Sequence, residues 1–306
     1  MTAGQLYLVH GHLIQEMEKT KMKKILNYKY IILFGLITIV SLFMIFYVYI
    51  NYAYEMPSRL KEINYNDYEG DMSREEIEEI KNNNFFQNFF SLKNGFTIDT
   101  SYSKYCQIKT KIIPIIIISI FFLYTNIKRN LIKFNIGRND MYIKENNKIK
   151  RKIAAIPSII SLIIVILLVI IGETFAQNNF LTYFKFLYDH NDLISVVMFN
   201  NKVVLIVFEI LSFIGIYLLS LFSLEIVDRY GNTDGTIIFL MISWILPIIT
   251  SSNTGVLIEI RRILPHSVLL IGAEHGSSII DLLLPIIILA ISILWIRNLD
   301  YDKIEV

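Results

Sequence analysis

Cysteine occurs once, at Cys106, so this chain can build neither an intramolecular disulfide nor a multi-cysteine metal site. It has no G-x-x-x-x-G-K-[ST] phosphate loop, no H-E-x-x-H pair and no G-x-S-x-G elbow. ATP binding by the first route is therefore excluded, and the sequence signatures of the zinc-peptidase and serine-hydrolase classes are missing. The histidines, His10, His12, His190, His266 and His275, are scattered. Charge is scarce as well: Asp, Glu, Lys and Arg make up 18% of 306 residues, against 54% hydrophobic residues and a mean hydropathy of +0.50. That is more apolar surface than a soluble core can bury, so the chain reads as an all-α polytopic membrane protein.

Six apolar runs divide it. Residues 30–50 form the first span, too long for a cleaved signal peptide and without a small-residue cleavage site after it. Spans two to six are expected at 112–126, 153–171, 203–227, 236–250 and 279–296. Pro114 and Pro157 fall near the starts of their spans, where a missing N–H costs least. Span two is short, so Lys109 and Lys111 are expected to snorkel to the surface.

The signs of charge are segregated along the chain. Residues 1–29 end in Lys19, Lys21, Lys23, Lys24 and Lys29, a cytoplasmic flank or an interfacial helix, with Met17 and Met22 as alternative starts. The 51–111 segment is acidic and expected outside. Within it, Ser73 and Glu76 make a capping box that opens a helix running to about Phe90. Its Glu75-Glu76 and Glu78-Glu79 pairs have no histidine nearby and read as a solvated face, and Phe85, Phe86, Phe89 and Phe90 form an aromatic face. The 172–202 loop, containing FLTYFKFLY, suits the headgroup region. Residues 228–235, DRYGNTDG, are a tight cytoplasmic turn. Residues 251–278 read as short outer helices broken at Pro265, re-entrant where protein or water covers the backbone. Residues 297–306 are a cytoplasmic tail, so both termini lie inside.

The 127–152 loop is the most basic: Lys128, Arg129, Lys133, Arg138, Lys144, Lys148, Lys150, Arg151 and Lys152 face only Asp140 and Glu145. Its flanks are explained by the retention of positive charge on the cytoplasmic side. Its centre is not, because Phe134, Ile136, Gly137, Arg138, Asp140, Met141, Tyr142, Lys144 and Glu145 combine an apolar ridge with charges that could set a docking register. Glu209 is the one carboxylate well inside a span. It reads either as a substrate-pathway or gating residue, with Phe213 and Tyr217 beside it, or as a partner of a neighbouring helix or subunit. Glu225 and Asp281, near span ends, read as interfacial.

This layout resembles the membrane subunit of a type-2 ABC exporter. The resemblance rests on a basic segment at Lys23 to Lys29, a coupling helix at Gly137 to Glu145, short outer helices at Ser251 to Ser278 and the closing WIRNLDY. The large acidic segment after span one is more similar to the peptide-toxin exporters and lantibiotic-immunity permeases of Gram-positive bacteria. The resemblance implies a non-catalytic permease of the cell membrane that moves an amphipathic peptide or lipid-like cargo. The chain itself would carry no cofactor. ATP and Mg would sit on a separate ATPase, two copies of which dock on the 127–152 loop. A second membrane subunit, identical or homologous, would complete the transporter, with lipids and no nucleic acid as further partners. The competing class is a stand-alone polytopic sensor or an intramembrane enzyme, the latter needing polar groups that converge at one depth.

Overall fold

In a hydrocarbon medium, backbone N–H and C=O groups must be satisfied within the segment itself, and this chain satisfies them in helices. The computed structural model describes residues 32–43, 47, 75, 78, 98–134, 139–175, 201–249, 264–271 and 279–298. The described helices are α1 (Ile32–Phe43), α2 (Ile98–Phe134), α3 (Asn139–Phe175), α4 (Asn201–Tyr230), α5 (Asn232–Ile249) and α6 (Ile279–Asn298), with a 3-10 turn at Pro265–Leu270. Four of them are long and apolar enough to cross a membrane, over Ile108–Arg129, Tyr142–Ile170, Leu205–Tyr230 and Asn232–Ile249. The apolar stretches described in α1 and α6, Ile32–Phe43 and Leu282–Arg297, are shorter. No strand occurs among the described residues.

The chain divides into two compact units, residues 1–40 and 41–306, with the boundary inside α1. In the first unit, Ile32, Leu33, Leu36, Ile39 and Val40 of α1 are exposed. In the second, α4 is the central helix. It packs against α2, α3, α5, α6 and the 3-10 turn, and residues 219–227 are buried on every face. An even apolar circumference of this kind is what a surrounded helix needs. Elsewhere apolar stripes are left uncovered at three- and four-residue steps: Ile159, Ile163, Ile166 and Ile170 on α3, Ile206, Ile210 and Ile214 in the first half of α4, and Ile287, Ile291 and Leu294 on α6. Stripes so continuous are unfavourable in water and natural against lipid tails.

Several expectations are corrected by these boundaries. The 127–152 segment is not a loop around a separate docking helix. α2 runs on through Phe134, and α3 begins at Asn139 and continues into its span. Pro114 and Pro157 therefore sit in helix interiors rather than first turns. A proline there forfeits an intrahelical bond, which membrane helices tolerate when neighbours re-satisfy the backbone. In α5 a π turn at Met241–Ile245 precedes Pro247, whose missing N–H leaves the Ser243 carbonyl without its usual donor.

The DRYGNTDG turn is tighter than a polar loop. Only Gly231, at φ 86°, separates α4 from α5, and its N–H bonds the Val227 carbonyl at 3.0 Å. Residues 1–29, nearly all of 51–97, residues 135–138, 176–200 and 299–306, and most of 251–278 lie outside the described residues. So do the readings of the basic N-terminal flank, the aromatic face and FLTYFKFLY, and of the closing motif only residues 295–298 are described. Glu75 and Glu78 are described, and both are exposed in helix.

Gly235 gives a test of the α4–α5 packing. A Cβ there would lie 2.7 Å from the Val227 Cα, a backbone atom that cannot swing aside, whereas one at Gly35 meets nothing within 4 Å. Gly235→Ala should lower stability by about 1–3 kcal/mol. Gly35→Ala should be neutral or slightly stabilising. Thermal unfolding in detergent micelles distinguishes the two.

Candidate functional site

Two layers of buried polar side chains cross the second unit. The first is assembled from pairs at helical spacing: Tyr124 and Lys128 on α2, Asn146 and Lys150 on α3, and Glu225 and Asp228 on α4. Residues three or four apart share a helix face, so each pair projects together. Asp228 is the hub. Its Oδ1 accepts from the Tyr124 hydroxyl at 2.7 Å and from Lys128, and its Oδ2 accepts from Lys150 at 2.9 Å and the Asn146 amide at 3.2 Å. The roughly four lone-pair sites of an ionised carboxylate are thus all filled. The Tyr124 oxygen also lies 2.9 Å from the Asn146 Oδ1.

Glu225 takes the other side of Lys150, with Oε2 at 2.5 Å, and its Oε1 accepts from Arg297 Nε of α6 at 2.8 Å. Lys150 and the Glu225 side chain are fully buried. The layer joins α2, α3, α4 and α6, with three cations against two carboxylates.

The second layer lies nineteen residues away on both α2 and α4, at Lys109 and Glu209, which is about 28 Å at 1.5 Å per residue. That is close to the roughly 30 Å of a hydrocarbon core. Lys109 is fully buried and donates to Ser212 Oγ at 3.1 Å and to the Ile271 carbonyl at 2.8 Å. Ile271 closes the 3-10 turn, whose Val268 packs so tightly on α4 that a Cβ at Gly215 would lie 2.8 Å from it. The Pro265 break thus produces one short turn buried against α2, α4 and α6. Tyr105 bonds Ser161 of α3 at 2.5 Å, and the Cys106 Sγ lies 3.9 Å from the Ile271 carbonyl.

Glu209 is 8% exposed. Lys109 and the Tyr102 hydroxyl act on its carboxylate, yet its Oε1 accepts no hydrogen bond. Side chains drawn from within residues 162–170 and 205–214, Glu209 and Phe213 among them, line a groove of about 610 Å³ between α3 and α4. Tyr217 is half-buried and is not among its lining residues.

The sequence-derived docking residues are placed only in part. Ile136, Gly137 and Arg138 lie outside the described residues. Phe134 closes α2, Asp140 and Met141 fall in the first turn of α3, Lys144 is exposed, and Tyr142 and Glu145 are half-buried. The structure corrects the reading of the flanks as pure topology: Lys128 and Lys150 are ion-pair partners, while Arg129, Lys148, Arg151 and Lys152 are exposed. Glu225 is buried rather than interfacial. Lys109 does not snorkel, although Lys111 is exposed. Sequence reasoning missed Tyr124, Asn146 and Asp228 altogether. Their signal was available as three polar pairs at i, i+3 or i, i+4, each at the same end of an apolar run.

Comparison with known protein families, with curated proteins and with solved structures gives no match.

Both layers can be tested. Lys150→Met removes the buried cation that two carboxylates share and should cost about 3–5 kcal/mol of stability. Lys148→Met, at an exposed position two residues away, should leave the unfolding temperature unchanged. At the other layer, burial pushes the Cys106 thiol from 9.0 up to about 11, with Lys109 opposing and Glu209 adding to the shift. Because the thiolate is the reactive form, its fraction at pH 8 should fall about a hundredfold below that of an unperturbed thiol. Maleimide labelling of the folded protein should therefore be slow at pH 8, rise as pH approaches 11, and become fast at pH 8 only on unfolding.

Proposed function

We propose that this chain is the membrane subunit of an ATP-driven exporter, with six spans and both termini on the cytoplasmic side. In this reading α1 and α6 complete the four long spans, and the Lys128–Lys150 layer marks the cytoplasmic face. The cargo is an amphipathic peptide or lipid-like molecule, and the setting is the cell membrane of a Gram-positive bacterium. A separate ATPase, present in two copies, supplies the energy, and a second membrane subunit completes the pathway.

One observation carries the proposal. α2 and α3 continue past the ion-pair layer, α2 from Lys128 to Phe134 and α3 from Asn139 to Lys150. These helix ends bear exposed Arg129, Lys144 and Lys148. They are tied to α4 and α6 by buried charge pairs. A force applied near residues 134–145 is then delivered to four helices together, because the pairs that would have to yield are costly to break. Basic side chains with an intervening apolar ridge suit a partner cleft that needs both burial and register.

An intramembrane enzyme is the second reading. It is favoured by the convergence of Lys109, Ser212 and Glu209 at one level, with Lys109 Nζ 3.1 Å from Ser212 Oγ. A lysine beside a hydroxyl can activate a serine nucleophile only once it has given up its proton, whereas here it donates to the hydroxyl oxygen. Against it, both Lys109 and Ser212 are buried, and the described residues lining the groove do not include Ser212.

The test is purification of the chain with whatever nucleotide-binding subunit accompanies it. Arg138→Glu combined with Lys144→Glu should leave folding intact and abolish stimulation of that subunit's ATP hydrolysis. If the chain binds no ATPase, or the reversed charges leave stimulation unchanged, the exporter reading fails. Loss of activity toward a hydrophobic ester or peptide on Ser212→Ala would select the second reading.

A further inference from the structure

The groove between α3 and α4 has walls of one kind and a single exception. Its lining side chains, from residues 162–170 and 205–214, are apolar apart from Glu209. Each wall runs over about 14 Å of helix at 1.5 Å per residue, roughly half the hydrocarbon thickness. It occupies the half of the bundle farther from the ion-pair layer, since residue 205 lies twenty-three positions from Asp228 and residue 214 fourteen. A docked transmembrane helix would need contact over the whole thickness and a trough about 10 Å wide. The dimensions suit a smaller molecule residing in one leaflet, within the ordinary range of about 300–1,000 Å³ for ligand pockets.

We propose that this groove binds a single-chain amphiphile whose ammonium head donates to Glu209 and whose tail lies against Ile210, Phe213 and Leu162. Glu209 stands at the depth where the hydrocarbon ends, about 28 Å from the opposite layer along α4, which is where a headgroup belongs. Its Oε1 accepts no hydrogen bond. Lys109, the nearby cation, is already committed to Ser212 and the Ile271 carbonyl. A buried carboxylate oxygen left in that condition is costly, and a charge-assisted donor restores more than a neutral one. A carboxylate head would meet Glu209 as a like charge and be rejected. The binding step needs no ATPase. It rests on the exporter reading only in making such a molecule, or a cargo of that chemistry, the thing transported.

The experiment uses the purified full-length chain in phosphatidylcholine vesicles. Dodecylamine and dodecanoic acid, each with a diazirine in the alkyl chain, are photolysed at equal membrane concentration, and labelled peptides are mapped by mass spectrometry. The amine should label residues 162–170 and 205–214 about tenfold more than the acid, as the loss of a charged hydrogen-bond partner implies. Glu209→Gln should bring the two probes within about twofold of each other, while Ile206→Trp should fill the groove and cut amine labelling about fivefold. Ile206 is 58% exposed, so that variant keeps its fold and decides the matter should Glu209→Gln not fold. Equal labelling by both probes, an amine preference that survives Glu209→Gln, labelling indifferent to Ile206→Trp, or a groove found filled by another stretch of the chain would each overturn the proposal. Failure here alongside intact ATPase coupling removes only the ligand site. Labelling without any ATPase partner removes only the exporter reading.

Discussion

The described structure depends on one buried cation. Lys150 is fully enclosed between Glu225 and Asp228, the one cation that both carboxylates share. Ion pairs of this kind add little net stability compared with apolar packing of the same volume, but losing one partner is expensive. Their effect is therefore on register. α2, α3, α4 and α6 can slide or rotate against one another only by stranding charge, whereas the Ile- and Leu-rich surfaces between them would tolerate many alignments. The four filled sites on Asp228 select one.

From that fixed layer the rest of the unit follows. Gly231 and Gly235 bring α5 back against α4 immediately beyond Asp228, and Phe121 meets Phe239 edge-on at 5.5 Å. Toward the other layer, backbone regularity is interrupted repeatedly: Pro114, Pro157 and Pro285 lie inside helices, and α5 carries its π turn. The interruptions fall between or beyond the charged residues rather than at them. One end of the bundle is held by costly electrostatics, while the span between the layers contains the points at which helices bend most easily. Bending is therefore easier between the layers than at the charged one.

How much of this the sequence disclosed depends on the kind of information involved. Apolar runs at 153–171, 203–227 and 279–296 announced helices because a membrane demands uninterrupted hydrophobicity, and the described helices contain them, α4 and α6 with a few added residues and α3 with a long N-terminal extension. Helix extent beyond the apolar runs was hidden. Lys, Asn and Glu at 139–152 continue α3 as good or tolerable helix residues in water, and hydropathy sees only their polarity. The basic segment was therefore read as a loop around a short docking helix, whereas its described parts belong to the ends of α2 and α3. Partners were hidden more deeply. Lys150 and Lys148 are the same residue type in the same run, yet one is enclosed and the other exposed, because the 100° turn per residue faces them differently. Only the placement of Glu225 and Asp228 on another helix determines which one pairs. Glu209 was visible from sequence because a carboxylate in an apolar run is conspicuous. Its companion Lys109 was dismissed as a snorkelling flank.

The two layers differ in completeness, and the difference bears on where function resides. At Asp228 every acceptor site has a donor, and the surrounding charges are tied to four helices. That carboxylate has no acceptor site left to offer. At Glu209 the same residue class faces an apolar wall with one oxygen unfilled, beside a lysine whose described bonds go elsewhere. Native structures satisfy buried polar groups almost without exception, so an unsatisfied one in a groove is evidence of a missing participant rather than of poor packing. Local consistency is most often relaxed where a protein meets something outside itself. The ion-pair layer accordingly gives the bundle its shape, and the groove at Glu209 is where we place the proposed ligand.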